Sequence, residues 1–148
     1  MIKLIAVGKV KEQYYRDAID EYKKRLSKYT KLEIIQVSDY STDNNLQLEA
    51  KEIKRYIGDK DYIITLDING KMYDSLSFAE YVRKVEMQHA NLTFIIGGSN
   101  GLDESIKSLA NDSISFSKLT FPHQLFRVIF LEQIYRGYKI NNNESYHK

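Results

Sequence analysis

The sequence lacks cysteine altogether and has one proline, Pro122, in 148 residues. Without thiols it can form no disulfide, no thiolate zinc site and no cysteine nucleophile. Its three histidines, His89, His123 and His147, are far apart and show no metal-ligand spacing. No metal is expected, unless carboxylates assemble a site in space. No apolar run approaches the ~18 residues that span a bilayer. The apolar stretch Met1–Gly8 is too short for a signal peptide and reads as a first strand. A cytoplasmic protein with no membrane partner is the expectation.

Net charge is also small, +2 in all, but it is unevenly spread. Residues 1–31 hold nine Lys/Arg against four Asp/Glu, and residues 32–67 hold four against eight. Basic charge is therefore concentrated from Lys9 to Lys31. Such a patch can attract phosphates. It can equally be a solvated helix face with pairs such as Asp20 with Lys24 and Glu21 with Arg25.

Apolar residues make up 43% of the chain, which is enough to bury a core in a single domain. Apolar, β-branched runs alternate with helical patterns. The runs predict strands at 2–8, 32–38, 62–68, 92–97 and 113–117. Helices are predicted at about 12–28, 43–57, 75–89, 102–110 and 122–138. This alternation predicts an α/β fold, a parallel sheet with helices on both faces. Asp67-Ile68-Asn69-Gly70-Lys71 reads as a turn that ends the third strand, with Gly70 at positive φ. Ligands in such sheets bind beyond the carboxyl ends of the strands. The exits after Leu66, Ile96 and Ser117 are therefore the places to look.

The second of these exits runs Ile96-Gly97-Gly98-Ser99-Asn100-Gly101-Leu102-Asp103-Glu104. Three glycines before a helix start let backbone approach a ligand closely. The spacing is neither a dinucleotide fingerprint nor a phosphate-binding loop. Asp103 and Glu104 disfavour a polyphosphate, so a neutral or zwitterionic ligand fits better. An ordinary strand-to-helix turn capped by Asp103 or Asn100 would look the same. The third exit, Ser115 to Gln124, holds the only proline, placed as the first residue of the last helix. Its backbone could read the edge of an adenine, or it could be a plain connection.

The last helix carries Phe126, Val128, Ile129, Phe130, Leu131, Ile134, Tyr135 and Tyr138, too many apolar residues for one face. Such a helix wants burial on two sides, its own sheet and a second subunit. Arg127 lies four residues after His123, on the same face. Arg127 and Arg136 could clamp phosphate or carboxylate, or pair with Glu132. The polar end Glu144-Ser145-Tyr146-His147-Lys148 would fray if judged alone.

Gly8-Lys9-Val10, Leu66-Asp67 with Gly70-Lys71, the Ile96–Leu102 loop, Ser115-Phe116-Ser117-Lys118-Leu119-Thr120-Phe121-Pro122-His123, Arg127, Glu132-Gln133-Ile134-Tyr135-Arg136 and Tyr146-His147-Lys148 form a set. Together they resemble the ribosomal RNA large subunit methyltransferase H family, of the SPOUT class, over the whole chain. The resemblance implies one domain, 1–148, whose C-terminal part is a deep trefoil knot, and a homodimer joined through its last helices. It implies S-adenosylmethionine as donor and no metal. The product would be S-adenosylhomocysteine. The implied reaction is N3-methylation of a pseudouridine in 23S large-subunit ribosomal RNA, on the assembled ribosome. Leu66, Gly97, Gly98, Gly101 and the loop Phe116, Ser117, Lys118, Leu119, Thr120 and Phe121 would hold the donor. His123, Arg127, Arg136, Tyr146 and His147 would serve the acceptor, with the base unassigned. Residues 40–60 look shorter than is usual in the family. The rival readings are a non-catalytic RNA- or ribosome-binding module, and a nucleotide enzyme such as a phosphotransferase. The missing phosphate motifs count against the second.

Overall fold

The computed structural model describes residues 1–148. Ten elements alternate along it: β1 (Ile2–Val7), α1 (Gln13–Leu26), β2 (Leu32–Val37), α2 (Asn45–Arg55), β3 (Asp61–Met72), α3 (Ser75–Gln88), β4 (Asn91–Ile96), α4 (Glu104–Leu109), β5 (Asp112–Ser115) and α5 (His123–Asn141). All the strand pairs are parallel, in the order β2-β1-β4-β3-β5. No helix is long and apolar enough to cross a membrane.

The period-two geometry of a strand divides the core. Leu4, Ala6, Ile64, Leu66, Phe94 and Ile96 face one side, against α1, α3 and α5. Ile5, Val7, Ile63 and Ile95 face the other, against α2 and α4. Every residue of β1 is buried, as the continuous apolar run requires of a strand covered on both faces. Each fully buried Leu, Ile or Phe of this kind contributes roughly 1.5–3 kcal/mol. Helices α3 and α5 pack against each other at Gly137, where a Cβ would make ordinary contact, 3.6 Å from the Cα of Ala79.

Several expectations change. Strand β3 does not stop at residue 68 but runs to Met72. Its ladder with β5 shifts register between Leu66 and Lys71, both of which pair with Ile114, so residues 67–70 bulge out. Gly70 is not a positive-φ turn residue. It is a close-approach glycine, because a Cβ there would lie 2.6 Å from backbone atoms of Ile114. Pro122 sits at the N-cap of α5 rather than inside it, and α5 continues three residues further than expected, to Asn141. Helix α4 begins at Glu104 because Asp103 caps it, its carboxylate accepting from the Ser105 N–H.

Candidate active site

Three strand exits converge on one cavity of about 560 Å³, a volume suited to a small ligand. The β3 exit supplies Leu66 and the bulge Asp67-Ile68-Asn69, and the β4 exit supplies Ile96 to Gly98 with Gly101 and Leu102. The β5–α5 connection supplies Ser115, Phe116, Ser117 and the run Leu119 to His123.

The glycine loop is shaped by what it excludes. A Cβ on Gly97 would lie 2.5 Å from the carbonyl oxygen of Gly101, so the loop folds back on itself only with glycine there. The Gly101 N–H donates to the Gly98 carbonyl at 3.1 Å, and Gly101 takes φ 81°, which an L side chain resists. The opposite wall is tied by two serines. Ser115 Oγ donates to the Ser117 carbonyl at 3.0 Å, and Ser117 Oγ accepts from the Leu119 N–H at 3.0 Å. Phe116 is wedged edge-on between Phe78 and Phe126, with ring centroids 5.4 and 5.3 Å away. In the bulge, Asp67 accepts from the Asn69 N–H at 3.2 Å, and Lys107 of α4 reaches Asp67 at 3.8 Å.

Of the residues expected to hold a donor, all line this cavity except Lys118, which belongs to the exposed part of the loop. His123 also lines it, as the first residue of α5. The other four do not. Arg127 is 1% exposed, so it offers no open clamp to a phosphate. Its Nη2 donates to the carbonyls of Val7 and Gly8, each at 2.9 Å, while Nε and Nη1 have no partner. Burial without a carboxylate pulls its pKa down to about 10.

Arg136, Tyr146 and His147 form a separate cluster. Arg136 pairs with Glu132 and donates from Nη1 to Nδ1 of His147 at 3.0 Å. Its guanidinium lies 4.9 Å from the centre of the Tyr146 ring, and that ring meets Tyr135 edge-on at 4.9 Å. Burial, aided by Tyr22 and Glu132, pushes the Tyr146 phenol up to about 12. The tail is thus packed rather than frayed. It lies on the far half of α5: thirteen residues separate His123 from Arg136, about 20 Å of helix. A second hollow, about 340 Å³, adjoins the first through Ser115, Phe116 and Phe121 and reaches Gln133, one turn before Arg136.

Sequence reading missed the bulge residues Ile68 and Asn69, and Lys107, because a ladder shift leaves no periodic signal. It also missed Glu49, which is 2% exposed and stands behind the glycine loop. Its Oε1 would be 3.7 Å from a Cβ on Gly98. One oxygen accepts from the Tyr40 N–H at 3.3 Å, and the other has no partner. Burial raises its pKa.

Comparison with known proteins gives three findings. A family model described as "Predicted SPOUT methyltransferase" matches residues 1–147. The chain is 48% identical to a Ribosomal RNA large subunit methyltransferase H of Clostridium tetani, over 99% of both chains. It is 47% identical to the protein of that name from Caldicellulosiruptor saccharolyticus, over 100% of both. The structure of a probable methylase family protein from Haemophilus influenzae superposes with TM-score 0.60 at 12% identity, covering 99% of this chain and 70% of that one. That last likeness is one of fold.

Proposed function

The chain belongs to the SPOUT methyltransferase family, and on that premise we propose that it moves a methyl group from S-adenosylmethionine to N3 of a pseudouridine in 23S large-subunit ribosomal RNA, on the assembled ribosome. One observation carries this reading: three strand exits close on a single cavity whose glycine wall one Cβ at Gly97 would collapse. The likeness to full-length relatives named for ribosomal RNA supports the substrate. A cytoplasmic location and the family's trefoil knot belong to the same proposal.

The residues present fit the donor. The cavity has an apolar wall in Leu66, Ile96, Leu102 and Phe116 for an adenine, and exposed backbone at Gly97, Gly98, Gly101 and the 117–121 loop for polar edges. It holds no cluster of cations that would call for a phosphate. When bound, S-adenosylmethionine supplies a methyl on a positive sulfur, an electrophile that needs alignment more than activation.

The protein's work is then on the acceptor. N3 must lose its proton as the new bond to carbon forms, and the imide oxygens take up the charge. Arginine has no acceptor, so Nδ1 of His147 receives the Arg136 hydrogen bond and the hydrogen of the neutral ring sits on Nε2. The high pKa of Tyr146 keeps its hydroxyl protonated. The Tyr146 hydroxyl donates to Glu132 Oε1 at 3.4 Å, so the free hydrogen of the tail is the one on His147 Nε2, and its part is to hold an oxygen of the ionised imide while the proton leaves to solvent. His123 marks the cavity rim. About 20 Å of helix separates Arg136 from His123 at the rim of its own cavity, and we assign the tail to the cavity of a second subunit, with α5 packed on α5 in a homodimer.

The test is transfer of label from S-adenosylmethionine to intact ribosomes, separated subunits and naked RNA from cells lacking this protein. Label on a large-subunit pseudouridine, with the assembled particle alone, is the expected result. No label on any of the three would reduce the chain to a non-catalytic RNA-binding module.

A further inference from the structure

The loop Gly8–Glu12, between β1 and α1, is held at nearly every residue. The Gly8 N–H donates to the Val37 carbonyl at 2.9 Å. Arg127 holds the Val7 and Gly8 carbonyls. Arg16 Nη1 donates to the carbonyls of Val10 and Lys11 at 3.0 and 2.9 Å. Gln124 Oε1 accepts from the N–H groups of Lys11 and Glu12 at 2.8 and 3.4 Å. Two of these anchors, Arg127 and Gln124, come from α5, and Gln124 follows His123 and Pro122, which line the donor cavity. The loop is therefore fastened to the cavity's rim.

This fastening is costly in isolation. A guanidinium enclosed with no carboxylate and two idle nitrogens is an unfavourable thing to bury. Its only hydrogen bonds go to the end of β1, so its effect is to fix that end to α5. The fixed loop displays Lys9 and Lys11, both exposed and neither paired with a carboxylate, beside the exposed Arg16, which is likewise without one. The carboxylates of the segment are Glu12 and Asp17; Asp17 accepts from Gln13. The other basic end of α1 is partly neutralised, although Lys23 and Lys24 are exposed and unpaired there as well. There Arg25 pairs with Glu21 at 2.8 Å and Lys28 with Glu144 at 3.5 Å. It is also about 20 Å from the loop, along fourteen residues of helix.

We propose that the β1–α1 loop is the RNA-backbone grip of this enzyme, with Lys9 and Lys11 taking phosphates beside the target nucleotide and Arg16 holding the loop that carries them. Arg127 and Gln124 are positioning residues that hold the grip in register with the donor cavity. The inference rests on the function proposed above and adds the place where the RNA backbone is held. A rigid, unneutralised cation set beside the cavity suits phosphates, because positions fixed in advance cost less to order on binding.

The experiment measures ribosome binding by co-sedimentation across a salt series, and methyl transfer separately, on particles from cells lacking this protein. For Lys9→Ala/Lys11→Ala, ribosome affinity should fall about tenfold and the salt slope by about 2, one per lost phosphate contact. Donor affinity and kcat at saturating ribosomes should stay unchanged. Lys23→Ala/Lys24→Ala should lose much less. Arg127→Lys should raise the ribosome KM, and added to the loop variant it should cost little more, since both act on one contact. Wild-type affinity and slope for the loop variant would overturn the proposal, as would an equal loss at Lys23 and Lys24. Full additivity of Arg127→Lys would overturn its positioning role. Failure of the parent function is read elsewhere, as absence of label with the wild-type protein, and leaves the binding comparison intact.

Discussion

Single residues define this site mainly by what they leave out. Gly97 and Gly101 look alike in sequence but do opposite jobs. A Cβ on Gly97 collides with the Gly101 carbonyl, whereas a Cβ on Gly101 meets nothing within 4 Å and is opposed only by its φ of 81°. Gly97→Ala should therefore lower donor affinity at least tenfold by calorimetry. Gly101→Ala should keep most of that affinity and lose a few degrees of Tm, since a left-handed L residue costs roughly 1–2 kcal/mol. Glu49 gives a pH test. Burial raises its pKa in the fold, so the folded state favours the protonated form. Its charge is a burden above the ordinary carboxylate range, and the burden vanishes where both states are protonated. Glu49→Gln should thus melt higher than wild type at pH 8, with the difference fading as pH falls and gone below about pH 4. A lower melting point for Glu49→Gln at pH 8 would mean that the ionised carboxylate makes a contact the fold needs.

At the scale of elements, α5 joins everything the site uses. Its first turn lines the cavity, its second fixes the end of β1, and its far half holds the tail through Arg136. Removing residues 145–148 should leave donor binding intact and reduce methyl transfer at least a hundredfold. Undiminished turnover would make the tail a packing element only. The bulge in β3 is the other element that matters. By letting Leu66 and Lys71 both pair with Ile114, it lifts Asp67 to Asn69 out of the ladder and into the cavity wall.

For the whole molecule, the decisive question is assembly. No residue of α5 is fully exposed, yet Leu125, Val128, Ile129 and Ile140 are covered only in part. Val128→Glu should shift the protein to a monomer by analytical ultracentrifugation, abolish transfer and spare donor binding, if each cavity is completed by its neighbour's tail. The sequence by itself determined the element order, the parallel sheet and the two-faced core, because these follow from local periodicity and from the burial that apolar runs demand. It also marked the glycine and proline loops, since only unusual backbone needs such residues. What it could not determine is where long-range contacts fall. Gly70 reads as a turn until Ile114 is brought against it, and Arg127 reads as an open clamp until β1 closes over it. Arg136 and His147 stand eleven residues apart in sequence and meet only because the chain turns back along α5. Register, enclosure and the distance between cavity and tail depend on pairings between distant segments, and those only the tertiary structure decided.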